Sequence, residues 1–235
     1  MQVVILAGGF GTRLAEETDL IPKPMVKIGD DPILLHIMKY YAAFGHTEFL
    51  IALGYKAHLV FNYFELRDYF KHLGWRVKLV DTGLETSTAG RVKRLANLLD
   101  NEFMLTYGDG LSNVNLNTLV AHHRHHGKIA TVTAVHPPAR FGSLVIRDNF
   151  VVEFAEKDPK DTGWINGGFF VLSKKVCEYL PDDLTPFEGE PMIKLVQSKQ
   201  LVAFQHDGWW QPMDTLRDKR ILEELWTTGG APWTL

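Results

Sequence analysis

Apolar residues fall along this chain in two alternating rhythms. Val3 to Ala7 is a short, β-branched run with no polar position, which predicts a strand buried on both faces. Ile33 to Phe44 is apolar at helical spacing. Asp31-Pro32 stands ahead of it as N-cap and first helical residue and Gly45 behind it as C-cap, so a helix is predicted there. The same patterns predict strands over Phe49 to Leu53, Val77 to Val80 and Phe103 to Tyr107, and helices over Ala57 to Phe70, Gly90 to Leu99 and Asn115 to His126. Such alternation implies parallel strands joined by right-handed crossovers, with ligands at their carboxyl ends.

After His126 the rhythm changes. Ile129 to Val135, Ser143 to Ile146, Val151 to Phe154 and Trp164 to Leu172 are strand-like with short connections, and predict an extension of the sheet in mixed direction. A helix around Glu190 to Gln197, a strand at Leu201 to Phe204 and a helix from Leu216 to about Trp226 follow. The expected fold class is α/β, a Rossmann-like mixed, mostly parallel sheet flanked by helices. With no linker or internal repeat, residues 1–235 are expected to form a single domain.

Composition narrows the function classes. Hydrophobic residues at 46% and charged residues at 23% supply a sizeable core and exclude wholesale disorder. A net charge of -3 argues against nucleic-acid binding through bulk charge. The single Cys177 excludes an internal disulfide and a multi-cysteine zinc site, which fits a reducing cytosol. The apolar stretch at the N-terminus stops at Gly8 with no basic residue before it, unlike a signal peptide or a membrane span. A cytoplasmic protein without nucleic-acid or membrane partners is expected.

Chemistry enters directly after the first strand. Gly8-Gly9-Phe10-Gly11-Thr12-Arg13-Leu14 lets backbone N–H groups approach phosphates closely, and Thr12 and Arg13 add donors. A dinucleotide fingerprint needs a third glycine where Leu14 stands, and Pro22 and Pro24 interrupt its long helix. A Walker A loop fails because no Gly-Lys-Ser/Thr ends it. Ile21-Pro22-Lys23-Pro24-Met25 fixes the backbone on both sides of Lys23, which limits the entropy lost when its ammonium meets a phosphate; an exposed lysine on a stiff loop is the plainer alternative.

Two acids stand out. Asp109 lies between glycines just past a strand's carboxyl end, either as a ligand for a divalent cation or as an ordinary turn aspartate. Asp214 precedes the last helix, where the residues themselves favour an N-cap. The cluster His122-His123-Arg124-His125-His126 lacks an acid or cysteine to complete a metal set and is expected to be an exposed polar helix end. Trp209, Trp210, Trp226 and Trp233 are expected to fill core or subunit contacts.

The loop GGFGTRL, the segment PKPM and the helix opening PILLHIM together resemble the sugar nucleotidyltransferases, also called nucleotide-sugar pyrophosphorylases. The likeness continues through VDTG (80 to 83), AGRVKR (89 to 94), LTYGDG (105 to 110), RFGSL (140 to 144), INGGFFVL (165 to 172) and WQPMDTLRDK (210 to 219), covering nearly the whole chain. Within the family it is greatest to the branch that joins CTP to glucose 1-phosphate. The resemblance implies a nucleotide-diphospho-sugar transferase-like fold and a nucleotidyltransferase that uses Mg²⁺ and releases pyrophosphate. It further implies that Asp109 and Asp214 hold the metal and that Arg13, Lys23 and Asp109 are catalytic. Leu6, Ala7, Gly8, Gly9, Gly11, Thr12, Arg13, Lys23, Thr86, Arg91 and Gly108 then meet the nucleotide.

On the sugar-phosphate side, the resemblance implies Gly142, Glu156, Lys157 and Asn166, although Asp158 stands where the family carries proline after the Glu-Lys pair. Assembly with copies of itself is also implied. The connection from Phe70 to Trp75 is shorter than in the family, where the longer segment meets neighbouring subunits near the nucleotide. UTP, dTTP or GTP, with another hexose or heptose 1-phosphate, therefore stay open beside CTP and glucose 1-phosphate. A non-catalytic nucleotide-sugar-binding subunit is the alternative of a different class.

Overall fold

The computed structural model describes residues 1–65, 69–138, 142–156 and 163–234. Its strands are β1 (Gln2–Leu6), β2 (Lys27–Ile28), β3 (Asp31–Pro32), β4 (Glu48–Leu53), β5 (Arg76–Asp81), β6 (Glu102–Tyr107), β7 (Gly110–Ser112), β8 (Ala130–Val135), β9 (Gly142–Arg147), β10 (Phe150–Glu156), β11 (Ile165–Ser173), β12 (Leu201–His206) and β13 (Trp210–Pro212). The helices are α1 (Ala15–Thr18), α2 (Ile33–Ala43), α3 (Ala57–Glu65), α4 (Tyr69–His72), α5 (Thr88–Arg94), α6 (Leu116–His126), α7 (Glu190–Gln197) and α8 (Leu216–Thr227).

Seven strands form the main sheet in the order β12-β8-β11-β6-β1-β4-β5. All its pairings are parallel except the two made by β11, which runs antiparallel to both β6 and β8. The α/β expectation holds, with one reversed strand making the sheet mixed. Burial follows position. Central β1 is buried at every residue, whereas edge strand β5 alternates and carries Arg76 and Lys78 outward, which discourages further strand pairing.

Successive side chains of β1 serve opposite faces. Val3 and Ile5 join α2 and the last helix in one core, with Phe49, Ile51 and Met104. Val4 and Leu6 join Ala89 and Val92 of α5 in the other, with Leu50, Phe103 and Phe170. Trp233 locks the chain's end into the first core, stacking 5.3 Å from Trp209 and 6.4 Å from Trp226 and donating from Nε1 to His36 Nδ1 at 3.2 Å.

Several local expectations are corrected. Pro32, rather than Asp31, occupies the N-cap of α2, and Asp31 instead pairs with Lys39 at 2.6 Å. Gly45 does follow the helix in the left-handed region, at φ 83°. The stretch expected as one helix over Ala57 to Phe70 is helical on both sides of residues 66–68, which lie outside the described residues, while α5 ends at Arg94 and passes into a 3₁₀ turn at Ala96–Leu98. The strands β9 and β10 do not widen the sheet; they pair with each other as a separate antiparallel ribbon. Among the described residues no helix is long and apolar enough to cross a membrane.

The histidine cluster is not simply an exposed helix end. His123 is buried, with Nδ1 2.8 Å from Thr131 Oγ1, and His126 Nε2 lies 2.7 Å from the same hydroxyl. Burial, reinforced by His126, Arg124 and His122 and opposed by Glu102, pulls the His123 pKa down to about 4. The fold therefore holds neutral His123, while the unfolded chain binds a proton near pH 6.5. Stability present at pH 7 must fall as pH drops from 6.5 towards 4, by about 3 kcal/mol for this residue. In urea unfolding at pH 7 and pH 5, the wild type is expected to lose about 2 kcal/mol more stability than His123→Gln. Equal losses would remove His123 as a source of acid sensitivity.

Candidate active site

A cleft of about 720 Å³ opens at the carboxyl ends of β1 and β6. One wall is the glycine loop. Gly11 turns the chain at φ +67°, and the next three residues form a 3₁₀ turn, Thr12–Leu14. A side chain at Gly8 would meet Arg91, whose Nη1 lies 2.2 Å from the place a Cβ would take. Leu6, Ala7, Gly8, Gly9, Gly11 and Thr12 all line the cleft.

Arg91 is itself nearly buried, at 3% exposure, and both terminal nitrogens are engaged. Nη1 donates to Leu53 O, Thr82 Oγ1 and Gly83 O at 2.7–2.8 Å, and Nη2 to Gly8 O at 2.9 Å and Leu84 O at 3.3 Å. Burial lowers its pKa, although no acid touches it among the bonds described. Arg91 thus ties the glycine loop to the ends of β4 and β5 and to the 83–84 turn. Thr86, also buried, lines the same end of the cleft.

The charged centre comes from three distant segments. Pro22 holds extended backbone at φ −68° and ψ 148°, and Lys23 starts a 3₁₀ turn with its stem buried. Its Nζ lies 2.5 Å from Asp109 Oδ2 and 2.7 Å from Asp214 Oδ1. Arg13 reaches the other oxygen of Asp214 at 2.8 Å, with its side chain 74% exposed. Burial opposes the charge on Lys23, but the two carboxylates outweigh it and raise its pKa above the ordinary lysine value. Lys23 is therefore a permanent cation at neutral pH.

The backbone explains why the two acids meet. Strands β7 and β13 pair antiparallel, Gly110 opposite Pro212, so the residue before one and the residues after the other lie side by side. Met213 N seals the junction by donating to Asp109 O at 2.8 Å. Asp214 is not the cap of α8, as its position suggested. Thr215 takes that role in a capping box with Asp218, leaving the Asp214 carboxylate free to face Lys23 and Arg13.

Gly108 and Asn166 join the same cleft. Gly142 and Glu156 pair across the open end of the β9–β10 ribbon, and Lys157 lies outside the described residues. Among the other cleft residues, Tyr107 and Glu188 carried no individual signal in the sequence, and Trp210 was expected only in core or subunit contacts. Tyr107 and Glu188 are hydrogen-bonded to each other, and Trp210 donates from Nε1 to Gly167 O at 2.7 Å. Trp210 therefore lines the cleft wall while also packing against the core that holds Trp209 and Trp233. Tyr107 sits inside the motif TYGDG, where Asp109 drew notice instead.

Comparison with known proteins agrees with this geometry. Residues 2–218 match the family model described as nucleotidyl transferase. The chain is 47% identical to glucose-1-phosphate cytidylyltransferase of Salmonella typhimurium, covering 99% of this chain and 98% of that one. It is 42% identical to the probable glucose-1-phosphate cytidylyltransferase of Bacillus subtilis, covering 99% of each. The first alignment runs over 255 positions against 235 residues here, so the relative carries internal positions that this chain lacks. Among solved structures, HddC from Yersinia pseudotuberculosis superposes with a TM-score of 0.75 at 28% identity, covering 96% of this chain and 99% of that one.

Proposed function

The chain belongs to the nucleotidyl transferase family, and on that premise we propose that it transfers CMP from CTP to glucose 1-phosphate, giving CDP-glucose and pyrophosphate. The observation that carries the chemistry is the convergence of Asp109 and Asp214 on Lys23, with Arg13 beside them. Near-full-length identity to glucose-1-phosphate cytidylyltransferases carries the choice of substrates.

Two carboxylates on one ammonium form a seat for positive charge. Hard oxygen donors of this kind suit Mg²⁺, which binds through one or two carboxylates and completes its shell with phosphate oxygens and water. Among the described residues no group of three or more His, Cys, Asp or Glu side chains gathers for a metal, so phosphate oxygens and waters would complete the shell of an ion on these two carboxylates. Asp109 and Asp214 would hold the ion, which when bound offsets charge on the triphosphate and the departing pyrophosphate.

The chain's own groups supply the rest. Backbone N–H groups of residues 8–12 and the Arg13 guanidinium meet the triphosphate, and Lys23 stays protonated against it. A phosphate oxygen of the sugar 1-phosphate attacks the α-phosphorus in line. The new oxygen–phosphorus bond forms as the bond to the β-phosphate bridging oxygen breaks, and that electron pair leaves on pyrophosphate. No protein nucleophile is required, because the attacking phosphate is already ionised. Catalysis consists of positioning and charge neutralisation. Asn166, in the cleft lining, stands ready for the sugar.

A pyrophosphate-release screen tests this. Five nucleoside triphosphates are offered with a panel of sugar 1-phosphates at saturating Mg²⁺. CTP with glucose 1-phosphate is expected to give the highest kcat/KM. A different best pair would reassign the substrates within the same chemistry, and silence in every well would favour a non-catalytic binding role.

A further inference from the structure

The cleft contains a carboxylate that phosphoryl transfer does not use. Glu188 follows Phe187, whose buried ring packs 5.6 Å from that of Phe170, so the backbone is anchored while the Glu188 side chain lines the cleft. Both its oxygens are held. Thr88 donates from Oγ1 to Oε2 at 2.8 Å, and the Tyr107 hydroxyl donates to Oε1. The holders are held in turn. Thr88 Oγ1 accepts from Phe187 N at 2.7 Å, and Tyr107 Oη accepts from Asn166 Nδ2 at 3.2 Å. Asn166 Oδ1 accepts from Gly168 N at 2.8 Å, which fixes which end of its amide faces Tyr107.

Every proton in this chain of bonds has a direction. Each carboxylate oxygen keeps a second acceptor site, and Asn166 Nδ2 keeps a second N–H. An oriented anionic acceptor and an oriented donor therefore stand together in the cleft wall. A phosphate would be repelled by the acceptor; a hydroxyl gains a charge-assisted hydrogen bond from it. Tyr107 is two residues from Asp109, so hydroxyls bound here belong to a ring attached close to the reacting phosphates. On the glycine-loop side of β6, β1 leads into the phosphate-facing backbone; on its other side lies β11, which carries Asn166. The acceptor sugar, rather than the ribose, matches the β11 side.

We propose that Glu188, oriented by Tyr107 and Thr88, accepts hydrogen bonds from ring hydroxyls of the sugar 1-phosphate and sets which sugars are taken. This rests on the chain's being a sugar-1-phosphate nucleotidyltransferase. Glu188 is exposed and its replacement by glutamine keeps its shape, so the fold is retained. Initial rates of wild type, Glu188→Gln and Glu188→Ala are measured with glucose 1-phosphate and its monodeoxy analogues, and with CTP and 2′-deoxy-CTP. Both variants are expected to raise KM for glucose 1-phosphate about 10-fold or more and to leave KM for CTP within about twofold, since a hydrogen bond to a charged group is worth that much. The wild type is expected to discriminate against at least one deoxy sugar, and the variants to lose that discrimination. Equal losses on glucose 1-phosphate and every deoxy sugar would overturn the assignment, as would discrimination lost on 2′-deoxy-CTP instead. Wild-type turnover in the same assay tests the reaction separately, so a flat variant series counts against Glu188 alone.

Discussion

Asp109→Asn is expected to lower kcat about 10²-fold or more without unfolding the protein, a loss in the range for removing a charge-stabilising group. The asparagine keeps the side chain's size, and the backbone bond from Met213 N to residue 109 O does not depend on the carboxylate. What disappears is one of the two negative charges on Lys23 and one of the two carboxylates proposed to hold the metal. Substrate capture through the glycine loop is untouched, so the effect should fall on kcat more than on KM for CTP. Pyrophosphate release, read beside a thermal melt, checks it. A variant that melts like the wild type and turns over at a normal rate would take Asp109 out of the chemistry.

Lys23→Met should produce a loss of similar size together with a gain. Methionine replaces the buried stem but not the charge, so Asp109 and Asp214 then face each other without the ammonium between them, which is costly so long as nothing else neutralises them. A divalent cation does so. In the wild type the ammonium occupies the oxygens proposed to hold the metal, and the variant should bind Mn²⁺ more tightly than the wild type when no nucleotide is present. Turnover should nevertheless fall about 10²-fold or more, because the cation proposed to position the triphosphate is gone. Electron paramagnetic resonance titration of Mn²⁺ reads the gain and pyrophosphate release the loss. Unchanged metal affinity would mean that Lys23 does not occupy the metal's place, and an unchanged rate would reduce PKPM to scaffolding.

Much of the fold was legible because its central strands are short, unbroken apolar runs, as at Val3 to Leu6 and Phe49 to Leu53. Pairing was less so. The residues of β9 and β10 read as strands, but periodicity says nothing of which partner a strand takes, and these two took each other. At Asp214 the adjacent signal was misassigned: Thr215 and Asp218 have the spacing of a capping box, and recognising it would have freed Asp214 for another role. Arg91 drew notice as a cation for the nucleotide, yet its main-chain partners are carbonyls that no letter of the sequence marks. Glu188 was invisible for a related reason. Its partners Thr88 and Tyr107 are 100 and 81 residues away, and nothing local distinguishes it from a solvated loop acid.

The contact between Lys23 and Asp214 spans 191 residues. During synthesis at about 5–20 residues per second, the lysine leaves the ribosome on the order of 10–40 s before its second carboxylate exists. For that interval its ammonium has Asp109 at most, and a closed pocket around it would bury charge that is only half compensated. The nascent chain must keep this region open to water until β13 and α8 arrive. Activity should therefore not precede the synthesis of Asp214, and the docking of α8 is the event expected to confer it.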